Sequence, residues 1–248
     1  MADLRILMLA TYGMEIVECG GALAKNARAG GRSEAAVLLA RDAARPQIEA
    51  ASDVLGVRVR FLGFASGTIT PDLPSKKLLV RVIREVRPDI VICQDPEHSF
   101  EDLDPDRRQA MILYLEALAL ASRDFALEEM TPLAAHPIPT IYYMTPLQPN
   151  CLVNVADVWD LKEKAMSQLR SQMAFSAQVL RQKLGGPAVR TIVGDPATHG
   201  DDAGLGTELH RQMDRAFHMY HGMLTHGSFA FAEPYRRQDK FHFERLIV

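Results

Sequence analysis

Residues 4–31 read LRILMLATYGMEIVECGGALAKNARAGG, and this stretch decides the fold class. The apolar run Leu4 to Ala10 is typical of a strand buried on both faces of a parallel sheet. A helical pattern follows from Glu15 to Ala29, and Gly30-Gly31 supplies its stop, because glycine accepts the left-handed conformation common at helix ends. The stretch therefore predicts a strand, a loop and a helix, which together form the opening unit of an α/β fold.

The same alternation of strand and helix patterns continues along the chain. Further strands are predicted over residues 34–40, 57–64, 89–93 and 140–144, with a short C-terminal strand after residue 229. Helices are predicted over residues 46–55, 74–86, 105–122, 158–184 and 207–224, and a long acidic loop over residues 94–107. Because parallel strands need crossover helices, the pattern predicts a Rossmann-like, doubly wound, mainly parallel sheet flanked by helices.

Length and composition limit the functional classes. The 248 residues, 48% of them hydrophobic, can bury one sizeable core, so we expect a single domain over residues 1–248. The net charge of -3 provides no basic field for a polyanion, and we expect no nucleic-acid partner. No apolar stretch reaches the length of a membrane span, and no export signal is visible.

Three cysteines are few and widely spaced, at positions 19, 93 and 151. They form no CxxC pair, so the sequence predicts neither a disulfide framework nor a thiolate zinc cage. A reducing, cytoplasmic location is the expectation. Cys93, at the end of the fourth predicted strand, is a conceivable nucleophile, although an apolar strand cysteine is more often part of the core.

Ligands of doubly wound sheets bind outside the carboxyl ends of the strands. This rule points to two loops, residues 10–15 after the first strand and residues 94–107 after the fourth. A dinucleotide site would need GxGxxG in the first loop, where only Gly13 is suitably placed, so nucleotide binding is disfavoured.

Five short motifs resemble the PIG-L/LmbE family of zinc-dependent de-N-acetylases (GlcNAc-PI de-N-acetylase-like proteins). They keep the family's order along nearly the whole chain. The matches are Glu15 with Cys19-Gly20-Gly21 and Leu23-Ala24; Arg87-Pro88-Asp89-Ile90-Val91; Pro105-Asp106 with Arg108; Lys162, Ala165, Ser171 and Gln172; and Ala232-Glu233-Pro234. The resemblance implies a single deacetylase-like α/β domain over residues 1–248.

The departures from the family pattern gather at its metal site. The resemblance places the family's three zinc ligands at Thr11, Met14 and Arg107, and its general base at Gly13. Asp104 stands in place of the first histidine of the family's HPDHR motif, and Leu169 in place of the histidine of its HxSQ motif. Zinc requires His, Cys or carboxylate donors, and catalytic sites need about three of them. The sequence therefore predicts a degenerate zinc site with no metal and no zinc cofactor.

The resulting prediction is a non-catalytic homologue that binds a sugar-like or anionic small molecule or supports an active paralogue; a homo-oligomer is compatible with the resemblance. The predicted ligand pocket contains Thr11, Tyr12, Met14, Glu15, Gln94, Asp104 and Arg107, with the vacated positions Gly13 and Asp104 among the motif residues. The alternative is an active N-deacetylase or amide hydrolase that uses a relocated metal, again zinc, or non-standard residues.

The sequence leaves two alternatives open for each of three features: Arg107, the acidic loop and a group of histidines. Arg107 either pairs with Glu15 at the vacated metal position or is solvated. The acidic residues of the 95–106 loop either are solvated or hold a hard cation through oxygen ligands. His218 and His221, three residues apart on a predicted helix with His226 beyond, could pair on a metal, but packed or surface histidines are more common.

Overall fold

The computed structural model describes residues 4–239, and its secondary structure follows the predicted alternation. The strands are β1 (Arg5–Tyr12), β2 (Arg32–Leu39), β3 (Val57–Phe61), β4 (Ile90–Gln94), β5 (Thr140–Met144), β6 (Cys151–Asn154) and β7 (Ala232–Arg237). The α-helices are α1 (Met14–Glu18), α2 (Gly20–Arg28), α3 (Arg45–Leu55), α4 (Leu73–Val86), α5 (Pro96–Glu101), α6 (Pro105–Ala121), α7 (Trp159–Gln168), α8 (Arg170–Val193) and α9 (Asp202–His221).

The strands form one seven-stranded sheet in the order β3-β2-β1-β4-β5-β7-β6. The strands β1 to β5 run parallel, whereas β7 is antiparallel to β5 and to β6. The order reverses beside β1, where β2 and β4 flank it on opposite sides. This topology confirms the predicted doubly wound, mainly parallel sheet, and it places the switch point at the end of β1.

Two hydrophobic cores cover the two faces of the sheet. Alternate residues of β1 feed them: Ile6 and Met8 belong to the core under α2 and α3, and Leu7 and Leu9 to the core under α4 and α6. A strand that serves both cores needs apolar residues at successive positions, which explains the uninterrupted run.

Four details differ from the prediction. The helix predicted from Glu15 breaks at Cys19, which has non-helical backbone angles, into α1 and α2. The acidic loop contains α5, which Asp95 caps at its N-terminus. The helix predicted over 158–184 breaks at Leu169, whereas its predicted end is confirmed, because the non-helical Gly185 (φ 77°, ψ 160°) divides α8 into two helical segments. The short strand β6 was not predicted.

Within residues 4–239, no helix is both long enough and apolar enough to cross a membrane.

Candidate ligand cleft

A cleft of about 720 Å³ opens at the loops that follow β1, β2 and β3, beside the first turn of α6 and the start of α8. Its polar lining consists of Tyr12, Glu18, Arg41, Gln47, Ser66, Asp104, Arg107, Ser171 and Gln172. Apolar contact surface comes from Met14, Leu39, Ile48, Phe64, Leu169 and Phe175, among others. Small-molecule sites commonly enclose about 300–1,000 Å³ and combine apolar walls with a few polar groups, as this cleft does.

Arg107 lies in the first turn of α6 and is held by two carboxylates. Its Nε lies 3.6 Å from Glu15 Oε1, and its Nη1 lies 3.3 Å from Asp102 Oδ2. The guanidinium carbon lies 5.4 Å from the centre of the Tyr12 ring. These distances favour the pairing with Glu15 over the solvated alternative. They also explain how a cation is accommodated at a helix N-terminus, where the macrodipole opposes it.

Glu15 is buried beneath the cleft, with 1% of its side chain exposed. Its Oε2 accepts a hydrogen bond from the Thr11 backbone N–H at 2.8 Å. Neither Glu15 Oε1 nor Arg107 Nε has a hydrogen-bond partner among residues 4–239. Burial raises the pKa of Glu15 to about 8, and Glu18 nearby adds to the rise while Arg107 opposes it. The carboxyl group therefore exchanges its proton near neutral pH.

The four aspartates of residues 95–106 are engaged by donors of the protein itself. Asp95 is fully buried and accepts two hydrogen bonds from the Arg236 guanidinium, at 2.7 and 2.8 Å. Asp104 caps α6 and accepts the Tyr12 hydroxyl at 2.8 Å, while Asp106 accepts a backbone N–H from the loop after β3 at 2.7 Å. Across residues 4–239 no group of three or more His, Cys, Asp or Glu side chains is arranged to hold a metal ion.

Three of the predicted pocket residues lie outside the cleft lining. Glu15 is buried as described above, and Thr11 is fully buried with its hydroxyl 3.2 Å from the Tyr114 hydroxyl. Gln94 is 3% exposed and donates to the Thr145 hydroxyl at 3.1 Å. Thr11 is buried because β1 extends to Tyr12, two residues beyond the predicted end of the strand. Side chains at these positions therefore still alternate between the two faces of the sheet.

The remaining predicted residues, Tyr12, Gly13, Met14, Asp104 and Arg107, all line the cleft.

The cleft also contains residues that the sequence reasoning missed. Glu18 lies one helical turn after Met14, and residues four apart share a helix face, so that spacing was a usable signal. Arg41 follows directly after β2, and the rule that placed the first loop at the carboxyl edge applies equally there. Phe175 is 61% exposed on α8, and no sequence pattern distinguished it from other surface residues.

A second cluster, here called the anchor, consists of Gly21, Lys162, Glu233 and Tyr235 and lies at the break between α1 and α2. Glu233 accepts the Gly21 backbone N–H at 2.7 Å and the Tyr235 hydroxyl at 2.9 Å, and its carboxylate also receives the N–H of Ala22. These backbone groups are unpaired at any helix N-terminus, where a carboxylate is favoured.

Lys162 completes the anchor from α7. Its side chain is 1% exposed, and its Nζ donates to the carbonyl oxygens of Val17 and Glu18, both at 2.6 Å, and to Glu233 Oε1 at 3.1 Å. Lys162 therefore caps the end of α1 while Glu233 caps the start of α2. A Cβ at Gly21 would lie 2.4 Å from Val155 Cγ1 and 2.7 Å from Glu233 Oε1, so glycine is required there.

The other candidate residues fit structural roles. Cys93 is 1% exposed in the core, where burial raises the pKa of its thiol well above the usual range. His221 packs against the Phe217 ring at 4.6 Å between centroids, and His218 is 3% exposed with its Nδ1 2.7 Å from the Asp214 carbonyl oxygen.

The residues at the family's ligand positions do not fit a zinc ion. Thr11 uses its hydroxyl in the contact with Tyr114, Met14 offers a thioether, and Arg107 is a permanent cation paired with Glu15. Zinc sites are built from imidazole, thiolate and carboxylate donors, and none of these three positions supplies one. We therefore derive no chemistry through zinc at this position.

The chain shares its fold with solved deacetylases and part of its sequence with a curated deacetylase, in keeping with its resemblance to the PIG-L/LmbE family. In sequence the chain is similar to the diacetylchitobiose deacetylase of Thermococcus kodakarensis, with 31% identity over 147 residues, which cover 57% of this chain and 52% of that protein. The chain thus matches only about half the length of that curated relative. No family model matches the chain.

Solved structures share the fold. The N,N'-diacetylchitobiose deacetylase of Pyrococcus horikoshii, solved with an inhibitor, superposes with a TM-score of 0.71 at 18% identity, covering 94% of this chain and 83% of that one. The 4-carboxy-2-hydroxymuconate hydratase of Pseudomonas putida superposes with a TM-score of 0.68 at 20% identity, and the match covers 100% of both chains.

Proposed function

We propose that this chain is a deacetylase-like protein that has given up the zinc site of its class and binds a sugar-like small molecule in the cleft without hydrolysing it. The observation that carries the proposal is the Arg107 head group, 3.6 Å from Glu15 at the position where the family resemblance expects a metal ligand. A guanidinium repels a metal cation and offers it no lone pair.

The shape and chemistry of the cleft support a sugar-like ligand. Aromatic rings at Tyr12, Phe64 and Phe175 can pack against the apolar faces of a sugar ring, and Asp104 and Gln172 can pair with hydroxyl groups. The curated relative is a deacetylase of diacetylchitobiose, so this disaccharide is the natural first probe.

Zinc content tests the first half of the proposal. Elemental analysis of the purified, untagged chain, before and after incubation with zinc and removal of excess, should find less than about one-tenth of an ion per chain. Because a hydrolase of this type depends on a bound metal, so low a zinc content would support the loss of the zinc site. The variant Thr11→His, Met14→Asp, Arg107→His restores the donor types of the family and serves as the positive control. Near-stoichiometric zinc in the unchanged chain would overturn the proposal.

Ligand binding tests the second half. Calorimetric titration with N,N'-diacetylchitobiose should show binding, while an acetate assay on the same mixture should show no release. Phe175→Ala should weaken binding by about tenfold, because one aromatic contact is lost from the cleft. Phe100→Ala is the matched control, since Phe100 is 78% exposed and does not line the cleft. Acetate release by the metal-free chain would refute the non-catalytic assignment.

A second candidate is a carboxylated or phosphorylated ligand. Two guanidinium groups, Arg41 and Arg107, line the same cleft, and guanidinium groups pair with carboxylate and phosphate through two parallel hydrogen bonds. The fold also carries a hydratase of a carboxylated substrate in Pseudomonas putida. Thermal stabilisation by citrate or phosphate that disappears in Arg41→Gln, together with no response to the disaccharide, would favour this candidate.

A further inference from the structure

A second pocket, of about 180 Å³, lies next to the cleft and shares Glu18 with it. We call it the histidine pocket and define it by Glu18, Thr145, Asp214, Phe217 and His218. The walls come from the end of α1, the loop after β5, helix α9 and strand β7. These five residues lie outside the motifs that resemble the deacetylase family, whereas Cys19, Glu233 and Pro234, which also line the pocket, belong to them.

His218 presents an unmet hydrogen-bond acceptor in this pocket. Its side chain is 3% exposed, and its ring makes edge contacts with Trp159 at 5.1 Å and Phe217 at 5.3 Å between centroids. Because Nδ1 lies 2.7 Å from the Asp214 carbonyl oxygen, Nδ1 is the donor and carries the hydrogen. Nε2 of the neutral ring then holds a lone pair, and it is buried without a partner within residues 4–239.

Two carboxylates of the pocket are also unmatched. Neither Glu18 nor Asp214 accepts a side-chain hydrogen bond or forms an ion pair within the described residues, and both are half-buried. The nearby Lys162 does not serve them, since its three donors go to two carbonyl oxygens and to Glu233. The Lys162 charge is thus matched by Glu233, and the pocket keeps an excess of negative charge.

We propose that the histidine pocket binds the primary ammonium group of a small organic ligand. An ammonium group carries three donors, and the pocket offers three unmet acceptor groups: the Nε2 of His218 and the carboxylates of Glu18 and Asp214. The Phe217 ring adds a surface that attracts cations. This proposal does not rest on the function proposed for the cleft.

The protonation states of His218 and Asp214 agree with this assignment, whereas burial raises the pKa of Glu18 and thereby opposes its ionised form until a cation binds. Burial, with Lys162 nearby, lowers the pKa of His218 to about 4, so the ring is neutral at pH 7 and does not repel a cation. Burial raises the pKa of Asp214 to about 6, and that carboxyl is mostly ionised at neutral pH. A bound ammonium would favour the ionised form further.

The test uses the whole chain labelled with ¹³C at the histidine Cε1 position. The His218 signal is assigned by its loss in His218→Gln, and ethanolamine, a small primary ammonium at pH 7, is titrated against it. We expect a saturable shift of that signal with a Kd in the millimolar range. Ethylene glycol and glycolate, which replace the ammonium by a hydroxyl and a carboxylate, should leave the signal in place.

Two variants of similar shape keep the proposal falsifiable if His218→Gln folds poorly. In Asp214→Asn and Glu18→Gln the ethanolamine Kd should rise by about tenfold, since one charge-assisted hydrogen bond is removed. Asp53→Asn, an exposed carboxylate on α3, is the matched control and should bind as the unchanged chain does. A shift that ethylene glycol reproduces, an absent shift, or unchanged binding in Asp214→Asn would each overturn the proposal.

Discussion

The anchor and the cleft meet on the same short segment, residues 11–22, yet they resemble the PIG-L/LmbE motifs to different degrees. In the anchor, Gly21, Lys162 and Glu233 match those motifs, and the charged groups have fixed partners: Glu233 accepts four donors and Lys162 donates to three acceptors. In the cleft, Met14 and Arg107 depart from the motifs, and buried atoms of Glu15 and Arg107 lack hydrogen bonds within residues 4–239. The difference separates what the fold requires from what one chemistry requires.

The largest expected effect breaks the anchor. Glu233→Ala leaves Lys162 buried without its counter-charge and four donors without an acceptor, and we expect a loss of about 3–5 kcal/mol in the free energy of unfolding. Urea unfolding followed by circular dichroism measures it. Arg170→Ala is the control, because the Arg170–Asp201 pair is exposed and should contribute less than about 1 kcal/mol. Equal losses in the two variants would contradict the role of the anchor.

The next effect concerns the space at the helix break. Gly21→Ala places a methyl group 2.4 Å from Val155 Cγ1, and we expect a loss of about 1–3 kcal/mol by overpacking. Gly186→Ala is the matched control, since its nearest neighbour is the flexible end of Arg190 at 3.5 Å. Thermal unfolding compares the two. If Gly21→Ala were as stable as Gly186→Ala, the close approach would not be a constraint.

The fold was largely predictable from sequence because it leaves periodic and local signals. The apolar run at Leu4 to Ala10 predicted the central strand, and proline at position 105 behind Asp104 predicted the start of α6. The paired glycines at positions 20 and 21 indicated close packing, which the contacts at Gly21 explain.

The details of the cleft were less predictable because they depend on contacts between distant residues. Gln94 occupies the expected strand end, but Thr145, from another loop, binds its amide and keeps it buried. The break at Cys19 depends on Lys162 and Glu233, more than 140 residues further along the chain. Neither partner carries a local signal, and only the assembled fold brings them to the helix ends.

A pH titration sharpens the comparison at Glu15. Its folded pKa is raised from 4.5 to about 8, so its contribution to stability is present below pH 4.5 and is lost as pH rises through about 8. Between pH 4.5 and 8, Glu15 should lower the free energy of unfolding of the unchanged chain by at most about 1.4 kcal/mol per pH unit, and Glu15→Gln should abolish this decrease. Glu49→Gln, at an exposed carboxylate of α3, is the control. Identical pH profiles for Glu15→Gln and the unchanged chain would place the carboxyl pKa in its ordinary range.

The smallest expected effect is the removal of the Arg107 guanidinium. Arg107→Met deprives Glu15 of its cation, but Glu15, with a pKa of about 8, is already mostly protonated at pH 7, so we expect a loss of no more than about 1 kcal/mol there. Arg236→Met is the matched control. There the buried Asp95 loses two hydrogen bonds from a guanidinium, and the loss should reach about 3 kcal/mol.

Urea unfolding of both variants at pH 7 compares these two buried arginine–carboxylate pairs. A loss in Arg107→Met as large as that in Arg236→Met would mean that the cleft pair stabilises the fold as firmly as a structural pair does. A small loss would mean that Arg107 is retained at the cleft for a reason other than stability, as expected of a residue that contacts a ligand.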